Sequence, residues 1–425
     1  MDCSTNVAFT PQDEALLARA IELAREGVGL SSPNPCVGAV LTDADGNEVA
    51  SAYHLYKDLK HAEILALEQA GEKSKGTTLY INIEPCSHTG RTGPCAEALI
   101  TAGVQRVVAA MADPNPQVSG KGFDRLRSAG IVVEIATGDL HERARSLNES
   151  FAKFILQRTP LVTLKAGMTL DGKIAPPPGD SSNPSALGAG GASGGWITSA
   201  EARAHVQELR HASDAIMVGV GTVIADDPLL TDRTGKVRRR PLLRVILDSR
   251  LRLPMESRLV KSADKDVIVF CAFAEENRKR ELESRGIVVE QLPLFPVADR
   301  FVVGGNPVKA DGRPDMKKLA QRLGEMEITS LLIEGGALVN WAALSAGIVD
   351  KVFLYYAPKI LAGTGSVPFA SGEGFRHMSD AAQVKSFNLH RFGEDFAVEG
   401  YLHDPYQAPE TPHKAAGPAV VYEGV

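Results

Sequence analysis

The feature that most limits what this chain can fold into is His61-Ala-Glu63, followed by Pro85-Cys86 and, after eight further residues, Cys95. One imidazole and two thiolates make up the three protein ligands of a catalytic zinc, whose fourth position stays open for water. Glu63 is then placed to move that water's proton without being a ligand. Positions two apart on a regular helix point about 200° away from each other. His61 and Glu63 can therefore serve one metal only if His61 stands at the entry of its helix. Cys95 lies at the start of a helical stretch over 96–102, where the positive end of the helix dipole favours a thiolate. A structural zinc site or two separate buried thiols would use the same residue types, but structural sites normally take four ligands and need no carboxylate. Cys36 stays open as a fourth ligand, while Cys3 and Cys271 read as inert.

A chain of 425 residues has room for two or three domains, each with its own core. With 44% hydrophobic and 23% charged residues it is globular, not disordered or fibrous. A net charge of −6 argues against nucleic-acid binding, which needs a basic surface. The one dense basic run, Lys236-Val-Arg-Arg-Arg240, reads as a solvated loop, with a phosphate contact as the alternative. No stretch approaches the roughly 18 consecutive apolar residues of a membrane span, and the N-terminus lacks a signal-peptide core. Five scattered cysteines suit reduced thiols in the cytoplasm better than a disulfide framework.

Thr10-Pro-Gln-Asp13 opens a helix running to about residue 24. Strands are expected over 37–43, 77–84, 106–111 and 131–136, with helices over 61–70, 96–102 and 122–129. Around 151–160 the pattern resets. A second series of strands follows over 161–166, 215–220, 242–247, 267–273, 331–334 and 351–356, with helices over 199–210 and 338–346. Alternating strands and helices predict two α/β domains, 10–155 and 160–404. The Pro/Gly/Ser-rich stretch over 176–195 reads as a mobile surface loop, its part from Pro177 to Gly191 dispensable for folding, and 405–425 as a flexible tail.

The segment Glu84-Pro-Cys-Ser-His-Thr-Gly-Arg-Thr-Gly-Pro-Cys95 resembles the zinc segment of the bifunctional deaminase/reductases of riboflavin biosynthesis. Pro33-Asn-Pro-Cys-Val-Gly38 and Asp113-Pro-Asn-Pro-Gln-Val-Ser-Gly-Lys-Gly122 are similar to two more motifs of that family's first domain. Leu164-Lys-Ala-Gly-Met-Thr-Leu-Asp-Gly-Lys-Ile174, Trp196-Ile-Thr-Ser199, the run from Val218 to Thr231 and Ile333-Glu-Gly-Gly336 are similar to its reductase motifs, in order. The resemblance implies a cytidine-deaminase-like α/β/α domain with zinc, then a dihydrofolate-reductase-like α/β domain with NADPH. It implies a small phosphoribosylated pyrimidine as substrate, first deaminated on its ring and then reduced from ribosyl to ribityl.

Carried over by position, the resemblance implies His61, Cys86 and Cys95 as zinc ligands and Glu63 as proton carrier, with Asn34, His54 and His88 at the deaminase substrate. It implies Lys165 and Glu334 as reductase catalytic residues, and Arg210, Leu230, Arg233 and Glu334 on the substrate side. Gly167, Trp196, Thr222, Asp226, Ser249 and the run Gly336, Ala337, Leu338, Val339, Asn340 match cofactor positions. Arg210 and Arg233 are of a type that holds phosphate by bidentate hydrogen bonds. Two positions depart from the family: Asp58 stands where Gly is usual, and Gly194 lies in a loop longer than usual. The rival readings are a nucleoside or nucleic-acid deaminase with an appended domain, and a decayed zinc-binding protein. Every deaminase residue named lies before Gly103 and every reductase residue after Pro160, so the two sites are expected to be chemically independent. Oligomeric state is left open, a homo-oligomer included.

Overall fold

The structure is a computed structural model that describes residues 9–87, 93–177, 195–294, 302–303, 306–307 and 312–408. Helix α1 (Pro11–Arg25) starts on the expected capping box, Thr10 and Asp13 each bonding the other's backbone N–H. Strands β1 (Gly38–Thr42) and β2 (Glu48–Tyr53) precede α2 (Ala62–Ala70). There follow β3 (Thr78–Ile81), α3 (Cys95–Ala102), β4 (Arg106–Ala109), α4 (Lys121–Ser128), β5 (Val132–Ile135) and α5 (Asp139–Gln157). The sheet order is β2-β1-β3-β4-β5, with β1 antiparallel to both neighbours and β3, β4 and β5 parallel. Helices α1 and α5 pack together, as do α2 with α3 and α3 with α4. Burial opposes ionisation of Asp13, yet hydrogen bonds from Arg106, Tyr80 and Thr10 hold its carboxyl well below the usual range.

Two elements of this half are not among those expected. β2 buries only the small Ala50 and Ala52, which leaves almost no apolar alternation to read. Helix α5 runs straight through the expected reset at 151–160, and the next strand begins at Leu161.

The second half contributes β6 (Leu161–Thr169), β7 (Lys173–Ala175), α6 (Ala200–Ala212), β8 (Ala215–Gly219) and α7 (Val220–Asp226). β9 (Leu243–Leu247), α8 (Arg258–Lys261), β10 (Val267–Cys271), α9 (Glu276–Glu283) and β11 (Val288–Gln291) come next, then the short β12 (Val302–Val303) and β13 (Asn306–Pro307). The remainder is α10 (Met316–Glu325), β14 (Ser330–Ile333), α11 (Ala337–Ser345), β15 (Lys351–Ala357), β16 (Val367–Pro368), β17 (Lys385–Phe392) and β18 (Asp395–Tyr401). Nine strands form one sheet, β11-β10-β9-β8-β14-β6-β15-β18-β17, parallel from β11 to β15 and antiparallel at β18 and β17. Successive side chains of a strand face opposite ways. Ala215 and Met217 of β8 accordingly join the core under α10 and α11, while Ile216 and Val218 join the core under α7, α8 and α9.

The first domain docks on the edge of this sheet where the parallel strands begin. Lys153 of α5 donates to Asp350, which precedes β15, at 2.7 Å. The basic run, expected to be solvated, makes much of this junction. Arg239 lies 3.6 Å over the Tyr56 ring, and Arg240 pairs with Asp214 at 2.8 Å and donates to Ser32 Oγ at 3.2 Å. Arg238 donates to the carbonyls of His211 at 2.7 Å and Ser213 at 2.6 Å, tying down the end of α6. The start of the expected tail is likewise held. Pro405 is buried, and Tyr406 donates to the Arg145 carbonyl at 2.8 Å beneath that residue's guanidinium. Residues 409–425 and 178–194, with the departure at Gly194, lie outside the described residues.

Candidate active sites

His61 is the N-cap of α2, with extended backbone (φ −75°, ψ 159°), and Glu63 sits in the helix's first turn. The condition for both to serve one metal is therefore met. Cys95 is the first residue of α3, and Cys86 lies in the loop after β3, fixed by an Ala96 N–H bond of 3.1 Å to its carbonyl. His61 Nδ1 is 3.2 Å from Cys95 Sγ and 3.5 Å from Cys86 Sγ, and the three ligand atoms all lie within 4.8 Å of one another. One nitrogen and two sulfurs at this spacing suit zinc. Among the described residues no other such group occurs. Cys36 is not part of it: its Sγ lies 3.1 Å from Ser31 Oγ, and burial pushes its thiol up to about 11. Cys271 is fully buried under the sheet, and Cys3 lies outside the described residues.

Glu63 is 3% exposed, and its Oε2 has no hydrogen-bond partner. A buried carboxylate oxygen is costly to leave unpaired, so one that is left points to a ligand. His54 forms the adjoining wall, its ring edge-on to that of His61 with 5.6 Å between centroids. Its Nδ1 faces the Lys60 carbonyl at 2.9 Å and so carries the hydrogen; its Nε2 then accepts from Asn34 Nδ2 at 3.1 Å. Burial lowers the His54 pKa, in keeping with a neutral ring. Asn34 and His54 thus stand together beside the metal group. His88 lies outside the described residues. Asp58 is exposed in a single 3-10 turn with ordinary φ, and the left-handed conformation falls on Leu59 instead. The departure from Gly therefore introduces no backbone strain.

Three supporting residues escaped sequence reasoning. Asn148 and Asn82 bracket Cys36, one accepting from its N–H at 2.8 Å and the other donating to its carbonyl at 2.8 Å. Glu84, buried, accepts from the N–H groups of Asp113, Gly120, Gly122 and Phe123 and so locks the 113–123 loop beside Cys86. A side chain at Gly122 would place Cβ 2.0 Å from the Pro85 carbonyl oxygen. The Glu84 and Gly122 motifs are visible in the sequence, but nothing there says that they meet.

In the second domain Glu334 follows β14 and gathers two cations. Arg210, near the end of α6, reaches it through Nε at 2.6 Å and a second nitrogen at 2.9 Å, and Lys165 of β6 reaches it at 3.5 Å. Burial opposes ionisation of Glu334, but Lys165 and Arg210 outweigh it and hold the carboxyl at about 2. Arg210 also donates to the Thr231 carbonyl at 2.8 Å, beside the buried Leu230. Three of its N–H groups are thus taken by protein acceptors. Arg233 is the exposed cation of the two.

The cofactor positions spread along the opposite edge, where parallel strands end, the usual ligand edge of an open α/β sheet. Thr222 lies in α7 directly after β8, Ser249 just beyond β9, and Gly336 is the N-cap of α11. Gly335 and Gly336 have φ of 114° and 87°, a turn that glycine permits. A Cβ on Gly167 would come a tight 3.2 Å from Thr198 Cγ2, while one on Gly336 would meet Thr222 Oγ1 at an ordinary 3.4 Å, so at Gly336 it is the positive φ that favours glycine. The first backbone N–H groups of α11 have no partner within the helix and suit a pyrophosphate. Within the 337–340 run only Leu338 is exposed; Ala337, Val339 and Asn340 are buried, and Asn340 donates to the Phe369 carbonyl at 2.7 Å. These three side chains pack inward, which leaves the first backbone N–H groups of the run facing outward at the start of α11. Trp196 is half-exposed with the Arg203 guanidinium 4.7 Å from its ring, and Asp226 ends α7 in an exposed position.

Residues 10–111 match the model of the cytidine and deoxycytidylate deaminase zinc-binding region, and residues 160–398 that of the RibD C-terminal domain. Riboflavin biosynthesis protein RibD of Aquifex aeolicus is 38% identical over 388 residues, covering 91% of this chain and 97% of that protein. The Escherichia coli protein of the same name is 36% identical over 398 residues, covering 91% and 98%. The solved structure of Acinetobacter baumannii RibD superposes with a TM-score of 0.73 at 34% identity, covering 92% of this chain and 98% of that one. With its zinc-type deaminase site and its NADPH-type reductase domain in this order, the chain belongs to the RibD family of bifunctional deaminase/reductases of riboflavin biosynthesis.

Proposed function

We propose that the first domain, residues 10–155, deaminates 2,5-diamino-6-ribosylamino-4(3H)-pyrimidinone 5′-phosphate. The second, residues 160–404, then reduces the ribosyl group of the product to ribityl. The observation that carries the first step is the buried, unpaired Glu63 Oε2 beside the His61, Cys86 and Cys95 group. Zinc held there by His61, Cys86 and Cys95 would supply a water acidic enough to act as hydroxide near neutral pH. Glu63 would accept a proton from the attacking water as the new C–O bond forms at the amino-bearing ring carbon, and give it to the ring nitrogen. It would then carry the second proton, from the new hydroxyl, to the departing amine, so that the carbonyl forms, the C–N bond breaks and ammonia leaves. Asn34 and His54 hold the ring in place.

The second step needs a hydride at C1′ of the opened sugar, which NADPH bound at the Gly335–Gly336 turn would supply. Glu334 holds Lys165 and Arg210 towards the substrate side, and the turn at Gly335 and Gly336 with the start of α11 receives the cofactor phosphates. Among the described residues four cysteines are unpaired, which supports a cytoplasmic setting, and no helix is long and apolar enough to cross a membrane. The test is an assay of the purified protein with the diaminopyrimidinone phosphate, following ammonia release and NADPH oxidation separately. Ammonia release without any NADPH oxidation would favour a deaminase of another class with an appended domain.

A further inference from the structure

The junction between the domains lies a few residues from groups placed in both sites. Asn34, proposed at the deaminase substrate, closes a tight turn through its N–H bond of 2.9 Å to the Ser31 carbonyl. Ser32, inside that turn, donates from Oγ to Asp214 Oδ2 at 2.8 Å. Asp214 belongs to the second domain, immediately before β8, and is 6% exposed. Its Oδ2 also receives the N–H and the hydroxyl of Thr329, each at 2.8 Å, and Arg240 at 2.8 Å. Arg240 closes the network by donating to Ser32 Oγ at 3.2 Å and to the Glu327 carbonyl at 2.7 Å. The neighbouring Arg239 N–H donates to the Gly29 carbonyl at 2.8 Å, so the loop before Asn34 is gripped at two points.

We propose that Arg240, although it lies in the reductase domain, is a positioning residue for the deaminase pocket. Through Asp214 and Ser32 it fixes the turn that presents Asn34. The first domain itself supports the later part of this segment, through the Asn82 and Asn148 bonds to Cys36. The earlier part, 29–32, takes the bonds described above from the reductase half. Chemistry in the two sites can then remain separate while the shape of one pocket depends on the other domain. A charge-assisted, partly buried hydrogen bond holds position more firmly than a neutral one. Without it the Asn34 turn gains freedom, and the lost order appears as weaker substrate binding rather than slower chemistry.

This inference rests on the reading that Asn34 meets the deaminase substrate, and the experiment separates the two. Full-length, zinc-loaded Arg240→Ala is assayed for ammonia release and, with the deaminated compound supplied, for NADPH oxidation. The deaminase KM is expected to rise about tenfold, the size of one lost positioning bond of about 1.4 kcal/mol. Deaminase kcat, zinc content and both reductase constants stay within about twofold. Arg240→Lys recovers most of the loss. Ser32→Ala gives a similar rise in KM, and the double variant Ser32→Ala/Arg240→Ala is no worse than Arg240→Ala, as expected for partners in one network. An unchanged deaminase KM in Arg240→Ala, with Asn34→Ala still impaired, would overturn the positioning role alone. Normal deamination in Asn34→Ala would instead remove the reading of the pocket on which it rests. Equal losses in both activities, unrelieved by lysine, would show that Arg240 only stabilises the fold.

Discussion

The two sites of this chain are built from different material. In the first domain three ligand side chains and a carboxylate converge from a helix entry, a loop and a second helix start, with His61 and Cys95 only 34 positions apart. In the second, Lys165 and Glu334 meet across 169 positions, and the expected cofactor surface is largely backbone at strand ends. A site made of reactive side chains close in sequence tolerates no substitution but can be read directly. A site made by topology shows only as glycines and turns until the sheet is assembled. The deaminase domain docks where parallel strands begin, and the cofactor turn lies where they end, roughly 15 Å apart for a five-residue strand.

The largest expected contrast comes from the metal. About one zinc per chain is expected, and Cys95→Ser should lose it together with all measurable ammonia release, while NADPH oxidation of the deaminated compound continues. Removal of zinc by a chelator should do the same reversibly. Full occupancy and normal deamination in Cys95→Ser would overturn the ligand assignment.

Next in size is the Glu334 cluster. Glu334→Gln leaves Arg210 and Lys165 beside a neutral group in a buried place, which should cost about 3–5 kcal/mol of stability. Reduction should fall at least tenfold, and ammonia release should be spared. The pH dependence has a definite sign. A carboxyl held at about 2, against an ordinary 4.5, contributes stability that is complete above its unfolded pKa and is lost as pH falls from there towards 2. Acid titration of the thermal midpoint should therefore show a fall below about pH 4.5 that is smaller in Glu334→Gln. An identical acid profile in the two proteins would mean that the ion cluster does not hold the site together.

The legibility of the fold follows the same division. Strands β8, β10 and β14 are buried on both faces and appear in the sequence as continuous apolar runs. β17 is exposed along most of its length, and β2 carries its burial on alanines, so neither gives a pattern to find. The zinc ligands and Glu63 were legible because their chemistry demands those residue types at a helix entry. The pairing of Arg210 with Glu334 was not legible, since only the assembled sheet brings the two together. The basic run misled for a related reason: charge density says nothing of the partners that the folded chain provides, here Asp214 of the same domain and Tyr56 of the docked one.

The smallest effect is expected at Asp58. It is exposed, with ordinary φ, so Asp58→Gly should change stability by no more than about 0.5 kcal/mol. A rise or fall in the deaminase KM on that change would show that the rim of the pocket reaches further than His54 and Asn34.

The most direct test of two separate chemistries on one chain is Glu63→Gln, which keeps the size of the side chain and leaves all three metal ligands intact. Ammonia release and NADPH oxidation are followed in the same zinc-loaded preparation, the latter with the already deaminated compound. Deamination should fall by about 100- to 10,000-fold, the usual contribution of a positioned proton carrier, and reduction should proceed near the rate of the unaltered protein. Loss of reduction as well, in a folded and zinc-loaded protein, would contradict the account and require a single shared or obligatorily coupled site.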